Sequence, residues 1–151
     1  MKTMLLVYHS QSGASATLAR AAARGIAKET EVKLIVRRAW DADTDDLAAC
    51  DGLLLVAAEN SASLAGGMKD FLDRTFYPAI ARQLVLPVAL IISAGNDGRN
   101  ARAQAKRILS GYPFSFALKP LILRGEVSTQ MQRECEQYGE GLATGISMAI
   151  F

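Results

Sequence analysis

Residues 4–18 read Met4-Leu5-Leu6-Val7-Tyr8-His9-Ser10-Gln11-Ser12-Gly13-Ala14-Ser15-Ala16-Thr17-Leu18, and three kinds of local structure follow one another within them. Met4 to Tyr8 is an apolar run of strand length. Ser10 to Ser15 is a loop of hydroxyl residues around one glycine, and an alanine-rich segment with helical spacing opens behind it. Strand, hydroxyl-lined loop and helix in that order make the βα turn at which α/β proteins hold phosphorylated ligands on a helix N-terminus. No Lys or Arg stands between Lys2 and Arg20. A phosphate here would therefore be held by hydroxyls, backbone N–H groups and the helix start. The same absence excludes a Walker-type loop, and the G-x-G-x-x-G pattern is missing as well. Taken alone, the hexapeptide also reads as a serine N-cap on an ordinary helix, so the rest of the chain must decide.

Working outward, Leu18, Ala22 and Ile26 recur every four residues while Arg20, Arg24 and Lys28 fall opposite them, which predicts an amphipathic helix over about 14–28. Glu31 to Val36 is a short β-branched strand. Asp45 to Cys50 suits a turn of helix, and Leu53 to Ala57 is an uninterrupted apolar run of the kind buried on both faces of a parallel sheet. A small, polar loop follows to Gly67, then a helix to about Arg82 whose inner stripe is Met68, Phe71, Leu72 and Thr75. Lys69–Asp73 and Asp70–Arg74 sit at i,i+4 on its outer side. Pro87 to Ser93 is a strand with proline at its first position. After the tight loop 94–98 comes a basic helix over 99–110. Phe116 to Leu123, interrupted by Pro120, reads as an edge strand, and a last helix runs from about Ser128 to the C-terminus with Met131, Cys135, Tyr138, Leu142 and Ile146 on one stripe.

Strands alternating with helices imply a parallel sheet covered on both faces by right-handed crossovers. Two strand orders satisfy this, 2-1-3-4-5 and a Rossmann half, and a phosphate loop directly after the first strand favours the former. In that order the loops 10–15, 58–66 and 94–98 gather at one sheet edge, and all three are rich in small residues that let backbone approach a planar ligand.

At 151 residues, half of them hydrophobic and 21% charged, the chain is expected to be a single domain, 1–151, with a core that needs no staples. No apolar run reaches the ~18 residues of a membrane span, and the first residues lack a signal peptide's basic start and long apolar core. Cys50 and Cys135 have neither CxxC nor metal spacing, which suits reduced buried thiols in the cytoplasm. A single histidine argues against a zinc site, and a net charge of +2 gives no footprint for nucleic acid.

The segment Ser10-Gln11-Ser12-Gly13-Ala14-Ser15 resembles the phosphate loop of flavodoxins and flavodoxin-like NAD(P)H-dependent FMN reductases, (S/T)-x-(S/T)-G-x-(S/T). Residues 57–75, AAENSASLAGGMKDFLDRT, resemble the reductases' strand end S-P-x-Y-x-G followed by G and K-x-F-(L/I)-D-R. Gly66, Lys69, Phe71, Leu72, Asp73 and Arg74 match that pattern, whereas Ala58, Asn60 and Ala62 replace its proline, aromatic and glycine. With Pro87 to Gly98, where strand and glycine loop commonly pass beside the flavin ring, the likeness covers most of the chain. It implies a flavodoxin-like three-layer fold with a five-stranded parallel sheet in the order 2-1-3-4-5, and FMN as cofactor. The phosphate would lie against Ser10, Gln11, Ser12, Gly13, Ala14 and Ser15, and the ring beside Ala58, Glu59, Asn60, Ser61, Gly95 and Asn96. No catalytic side chain and no metal are implied.

Two classes of function remain open at this stage. One is an oxidoreductase taking hydride from NAD(P)H and passing electrons to a quinone, flavin or similar small acceptor, with a homodimer as one possible state. Hydride transfer to flavin needs no acid–base residue, since the cofactor carries the chemistry. The other is a one-electron carrier, or a domain with weakened or lost flavin binding. A charge near neutrality speaks against the strongly acidic carriers, and the missing loop aromatic speaks for an altered flavin site. His9 reads as a structural or a site residue, and Trp40 as a cover for a cofactor or for the sheet. Arg99, Arg102 and Lys106 form either a solvated face or a phosphate-reading one.

Overall fold

A computed structural model describes residues 1–151. In chain order the elements are β1 (Lys2–Tyr8), α1 (Ala14–Ile26), β2 (Val32–Arg38), α2 (Thr44–Ala48), β3 (Gly52–Asn60), β4 (Ser63–Leu64), α3 (Gly66–Ala81), β5 (Pro87–Ala94), α4 (Arg99–Leu109), β6 (Ser115–Phe116), β7 (Leu121–Arg124) and α5 (Thr129–Ser147). The strands lie in the order β2-β1-β3-β5, with β6 and β7 sharing the outer edge of β5, and all of these pairings are parallel. With β6 and β7 counted as two halves of one edge strand, this is the expected 2-1-3-4-5 sheet. The split falls around Lys119 and Pro120, where a proline has no N–H to give the ladder.

Alternation along the central strands builds both cores. Leu5 and Val7 of β1, Leu53, Leu55 and Ala57 of β3, and Val88, Leu90 and Ile92 of β5 face α3 and α4. Their neighbours Met4, Leu6, Leu54, Val56, Ala89 and Ile91 face α1 and α5. The period-2 rule carries past the strand ends: His9 follows Leu5 and Val7 toward the α3 side, and Ser93 follows Ala89 and Ile91 toward α1. Those two positions matter for the site.

The face covered by α1 and α5 is closely packed. A Cβ on Gly139 would lie 2.4 Å from the backbone oxygen of Ala22, and one on Gly25 would lie 1.9 Å from that of Glu136, so both helices need glycine at their crossing. Lys28 pairs with Glu136 and Glu140 across the same crossing at 2.9 and 3.3 Å; being exposed, these pairs contribute little. Cys50 and Cys135 are free and buried, and burial pushes both thiols up to about 12.

Several boundaries differ from the sequence reading, among them β2, which runs to Arg38 instead of Val36, and α2, which ends at Ala48 instead of Cys50. α1 ends at Ile26 and α5 at Ser147, each short of its expected end. β3 runs to Asn60 instead of stopping at Ala57, so Ala58, Glu59 and Asn60 belong to a strand and not to a loop. The reason is pairing: Ala58 is still in register with Ser93 of β5, and Glu59 and Asn60 then take Leu64 and Ser63 of β4 as antiparallel partners.

Candidate functional site

The turn from β1 into α1 has an open, donor-rich mouth. Gly13 stands at the N-cap of α1 in the left-handed region, with φ 100°, and no side chain caps the helix. The first turn holds no acid. The Gly13 N–H donates to Ser10 Oγ at 3.1 Å, which leaves the serine proton free to donate outward. Thr17 Oγ1 is engaged within the helix, donating to the Gly13 carbonyl at 3.0 Å and accepting from Arg20 Nη2 at 3.2 Å. Gln11 and Ser12 are exposed. Uncapped helix amides, two serine hydroxyls and no acid suit a phosphate monoester, and nothing would touch even a Cβ built at Gly13. Ser15 differs from the expectation in direction. It is buried, and its hydroxyl pairs with Ser93 Oγ at 2.8 Å, so it ties the loop to the end of β5 from beneath.

The second segment is a hairpin. Ser61 and Ala62 turn the chain between β3 and β4 with φ of 50° and 59°, the backbone that two-residue hairpins normally give to Asn-Gly. For residues with a Cβ this costs roughly 1–2 kcal/mol each. Contacts with α4 hold the turn in place. Gln104 Oε1 accepts from Ser63 Oγ and the Leu64 N–H at 3.0 and 2.8 Å, and Glu59 Oε2 accepts from the Ala101 N–H at 3.0 Å. Glu59 thus serves as a cap for α4. Asn60 Nδ2 donates to Gln11 Oε1 at 3.2 Å, joining the hairpin to the 10–15 loop through two exposed side chains. Ala62→Gly should therefore raise stability by about 1 kcal/mol, read as an upward shift of the urea midpoint. A downward shift would mean that the left-handed turn is not strained.

The third segment borders the others. Gly95 and Asn96 are exposed, and a Cβ on Gly95 would meet nothing within 4 Å. Asp97 Oδ1 accepts from the Arg99 N–H at 3.0 Å, and Arg124 Nε donates to the Asp97 carbonyl at 3.1 Å. The Gln11–Asn60 and Ser15–Ser93 bonds thus join the ends of β1, β3 and β5 in one contiguous edge, with small residues where a planar ring would lie. The acids of these segments, Glu59 and Asp97, are bonded to the Ala101 and Arg99 N–H groups of the α4 start.

His9 and Trp40, both singled out in the sequence, meet at this edge, together with Arg38, which the sequence reading did not include. His9 is buried, and its Nε2 is a buried side-chain polar atom without a partner. Trp40 meets the imidazole edge-on at a centroid distance of 5.5 Å while staying 59% exposed. A cleft of about 150 Å³ is lined by Tyr8, His9, Ser10, Arg38 and Trp40, so Arg38 supplies a cation next to Ser10 that the local sequence does not. Arg74 fixes this arrangement: its guanidinium donates to the carbonyls of Ala39 and Ala42 at 2.7 and 3.0 Å and to Asp70 at 2.8 Å. Gly67 is the remaining wall, since a Cβ there would lie 2.1 Å from His9 Nδ1. The largest groove, about 780 Å³ between Phe76, Tyr77 and Ile108, lies at the C-terminal ends of α3 and α4, away from these loops.

Comparison with known proteins identifies the family and the fold. The family model described as NADPH-dependent FMN reductase matches residues 3–123. Among solved structures, a flavodoxin from the domain Archaea superposes with a TM-score of 0.83 at 20% identity, over 95% of this chain and 98% of that one. A flavodoxin, WrbA-like protein from Agrobacterium tumefaciens gives 0.78 at 15% identity, over 98% and 99%. Rubredoxin oxygen:oxidoreductase from Desulfovibrio gigas gives 0.83 at 10% identity, over 98% of this chain and 37% of that one. Identities this low show a shared fold. No curated protein matches the sequence. No helix is long and apolar enough to cross a membrane.

Proposed function

The chain belongs to the NADPH-dependent FMN reductase family, and from that premise we propose that it is an FMN-dependent oxidoreductase drawing on NAD(P)H. FMN is the cofactor, and when bound it supplies the chemistry by which hydride from the nicotinamide reaches a quinone, flavin or similar small acceptor. The chain's own contribution is binding and orientation. The Ser10 and Ser12 hydroxyls and the uncapped amides of α1 would hold the phosphate, while Ser15 keeps the loop seated through Ser93. Asn60, Ser61, Gly95 and Asn96 would border the ring, with Ala58 and Glu59 placing the hairpin from the end of β3. The observation that carries this reading is the acid-free, side-chain-uncapped start of α1 directly after β1.

The donor would approach from α4, whose first residues follow the 94–98 loop. Arg99 is exposed and only 3.9 Å from Asp97, an exposed and weak pair. Arg102 lies one turn on, and Lys106 continues the face. Arginines on this face suit the 2′-phosphate of NADPH through bidentate, charge-assisted bonds. Arg99→Ala with Arg102→Ala should raise KM for NADPH several-fold and leave NADH nearly unchanged. An unaltered NADPH/NADH ratio would remove α4 from donor recognition without touching the cofactor assignment.

Anaerobic mixing of the FMN-loaded protein with NADPH tests the activity itself. Bleaching of the visible flavin band, followed by recovery on adding a quinone, is the expected result. Bleaching by dithionite but not by NADPH or NADH would make the chain a one-electron carrier instead.

A further inference from the structure

We propose that the cleft between the ends of β1 and β2 is an adenine subsite, which lets the phosphate loop accept the dinucleotide FAD as well as FMN. The proposal rests on the phosphate-loop reading above and extends it to the side away from the hairpin and the 94–98 loop. Ser10 belongs both to the loop and to the cleft wall, so the two are continuous. A flavin nucleotide whose ring lies toward β3 and β5 would direct any extension beyond its phosphate toward β2. There the cleft offers about 150 Å³, the share of roughly five waters in the liquid, which suits one ring system and not a whole nucleotide.

Its lining matches a purine joined to phosphate. Trp40 lines the cleft and is more than half exposed, so an indole is at hand for stacking. His9 Nε2 is buried without a partner, and a purine presents both ring acceptors and an exocyclic donor to satisfy it once the indole shifts to admit the base. An orphaned buried polar atom is uncommon and costs stability, and a bound purine would relieve that cost. Arg38 reaches the cleft with a cation whose only ionic partner is Asp41 at 2.8 Å, both side chains more than half exposed. Such a pair exchanges readily for a second phosphate. Arg74, through the Ala39 and Ala42 carbonyls, holds the segment that carries Trp40. It is a positioning residue for the subsite.

ADP, the half of FAD that lacks the flavin, is the direct probe, because Trp40 is the only tryptophan. Added to the flavin-free protein, ADP should change Trp40 emission saturably, and FMN should displace it in equilibrium dialysis. Trp40→Ala should weaken FAD and ADP at least tenfold and leave FMN within about twofold, with Trp40→Phe restoring FAD, and Arg38→Ala should weaken FAD and ADP at least tenfold more than it weakens FMN. Absence of ADP binding, or equal losses for FAD and FMN in those variants, would overturn the subsite while the FMN reading stands. ADP that binds undiminished to FMN-saturated protein would assign the adenosine to a nicotinamide dinucleotide and overturn the FAD assignment. Failure of the phosphate-loop reading has a separate signature: FMN and riboflavin would then bind alike, whatever ADP does.

Discussion

Arg74→Ala should destabilise the fold by about 3 kcal/mol. The guanidinium donates to two backbone carbonyls that no other element reaches, those of Ala39 at 2.7 Å and Ala42 at 3.0 Å, and hydrogen bonds with a charged partner contribute roughly 1.5–3 kcal/mol each. Ala39 and Ala42 are themselves buried, so their carbonyls would be left partly dry and unpaired. Arg74→Lys should recover little, because one ammonium cannot reproduce a planar fork on two acceptors. Urea unfolding gives the magnitude, and Trp40 emission in the folded variant reports whether the β2–α2 segment has loosened. A loss below about 1 kcal/mol would mean that the segment is held by Leu47 and the core alone.

Ser12→Asp should separate stability from binding. Residue 12 is exposed and directly precedes the Gly13 N-cap of a helix whose first turn holds no acid. A carboxylate at that end favours the helix dipole by about 0.3–1 kcal/mol, so the thermal midpoint should hold or rise. FMN affinity should fall at least a hundredfold, about 2.7 kcal/mol, because a hydroxyl donor is lost and an anion faces the phosphate. Riboflavin should bind the variant as it binds the wild type. A variant that keeps its FMN affinity would place the phosphate elsewhere.

The fold was legible because its signals are local. Apolar runs such as Leu53–Val56, the every-fourth-residue stripe of Leu18, Ala22 and Ile26, and the i,i+4 pairs Lys69–Asp73 and Asp70–Arg74 all appear in the structure as read. The strand order followed from the loop after the first strand. What stayed hidden depends on partners distant in sequence. Glu59 looks like a loop carboxylate until α4 brings the Ala101 N–H to it from 42 residues away. Ser15 looks like a third phosphate hydroxyl until Ser93 meets it from 78 residues away. The two arginine bonds to the Ala39–Ala42 segment leave no trace in spacing, although the family-like motif contained the arginine. His9 was visible as a residue of interest, but its lack of a partner is a property of the packed edge.

The site's design follows from that division. Local sequence makes the hydroxyl-lined loop proposed to hold the phosphate, and long-range bonds decide which of its hydroxyls are left unpaired. The missing aromatic at Asn60 leaves a side chain whose only bond is to Gln11 at 3.2 Å, between exposed groups, so the hairpin tip can part from the loop at small cost.

Binding of FMN and of riboflavin to the flavin-free wild-type protein, measured side by side, tests the central claim most directly, because the two ligands differ only in the phosphate. A phosphate held by the Ser10 and Ser12 hydroxyls and the α1 amides predicts FMN binding at least a hundredfold tighter, about 2.7 kcal/mol. Equal affinities, or no binding of either flavin, would contradict it.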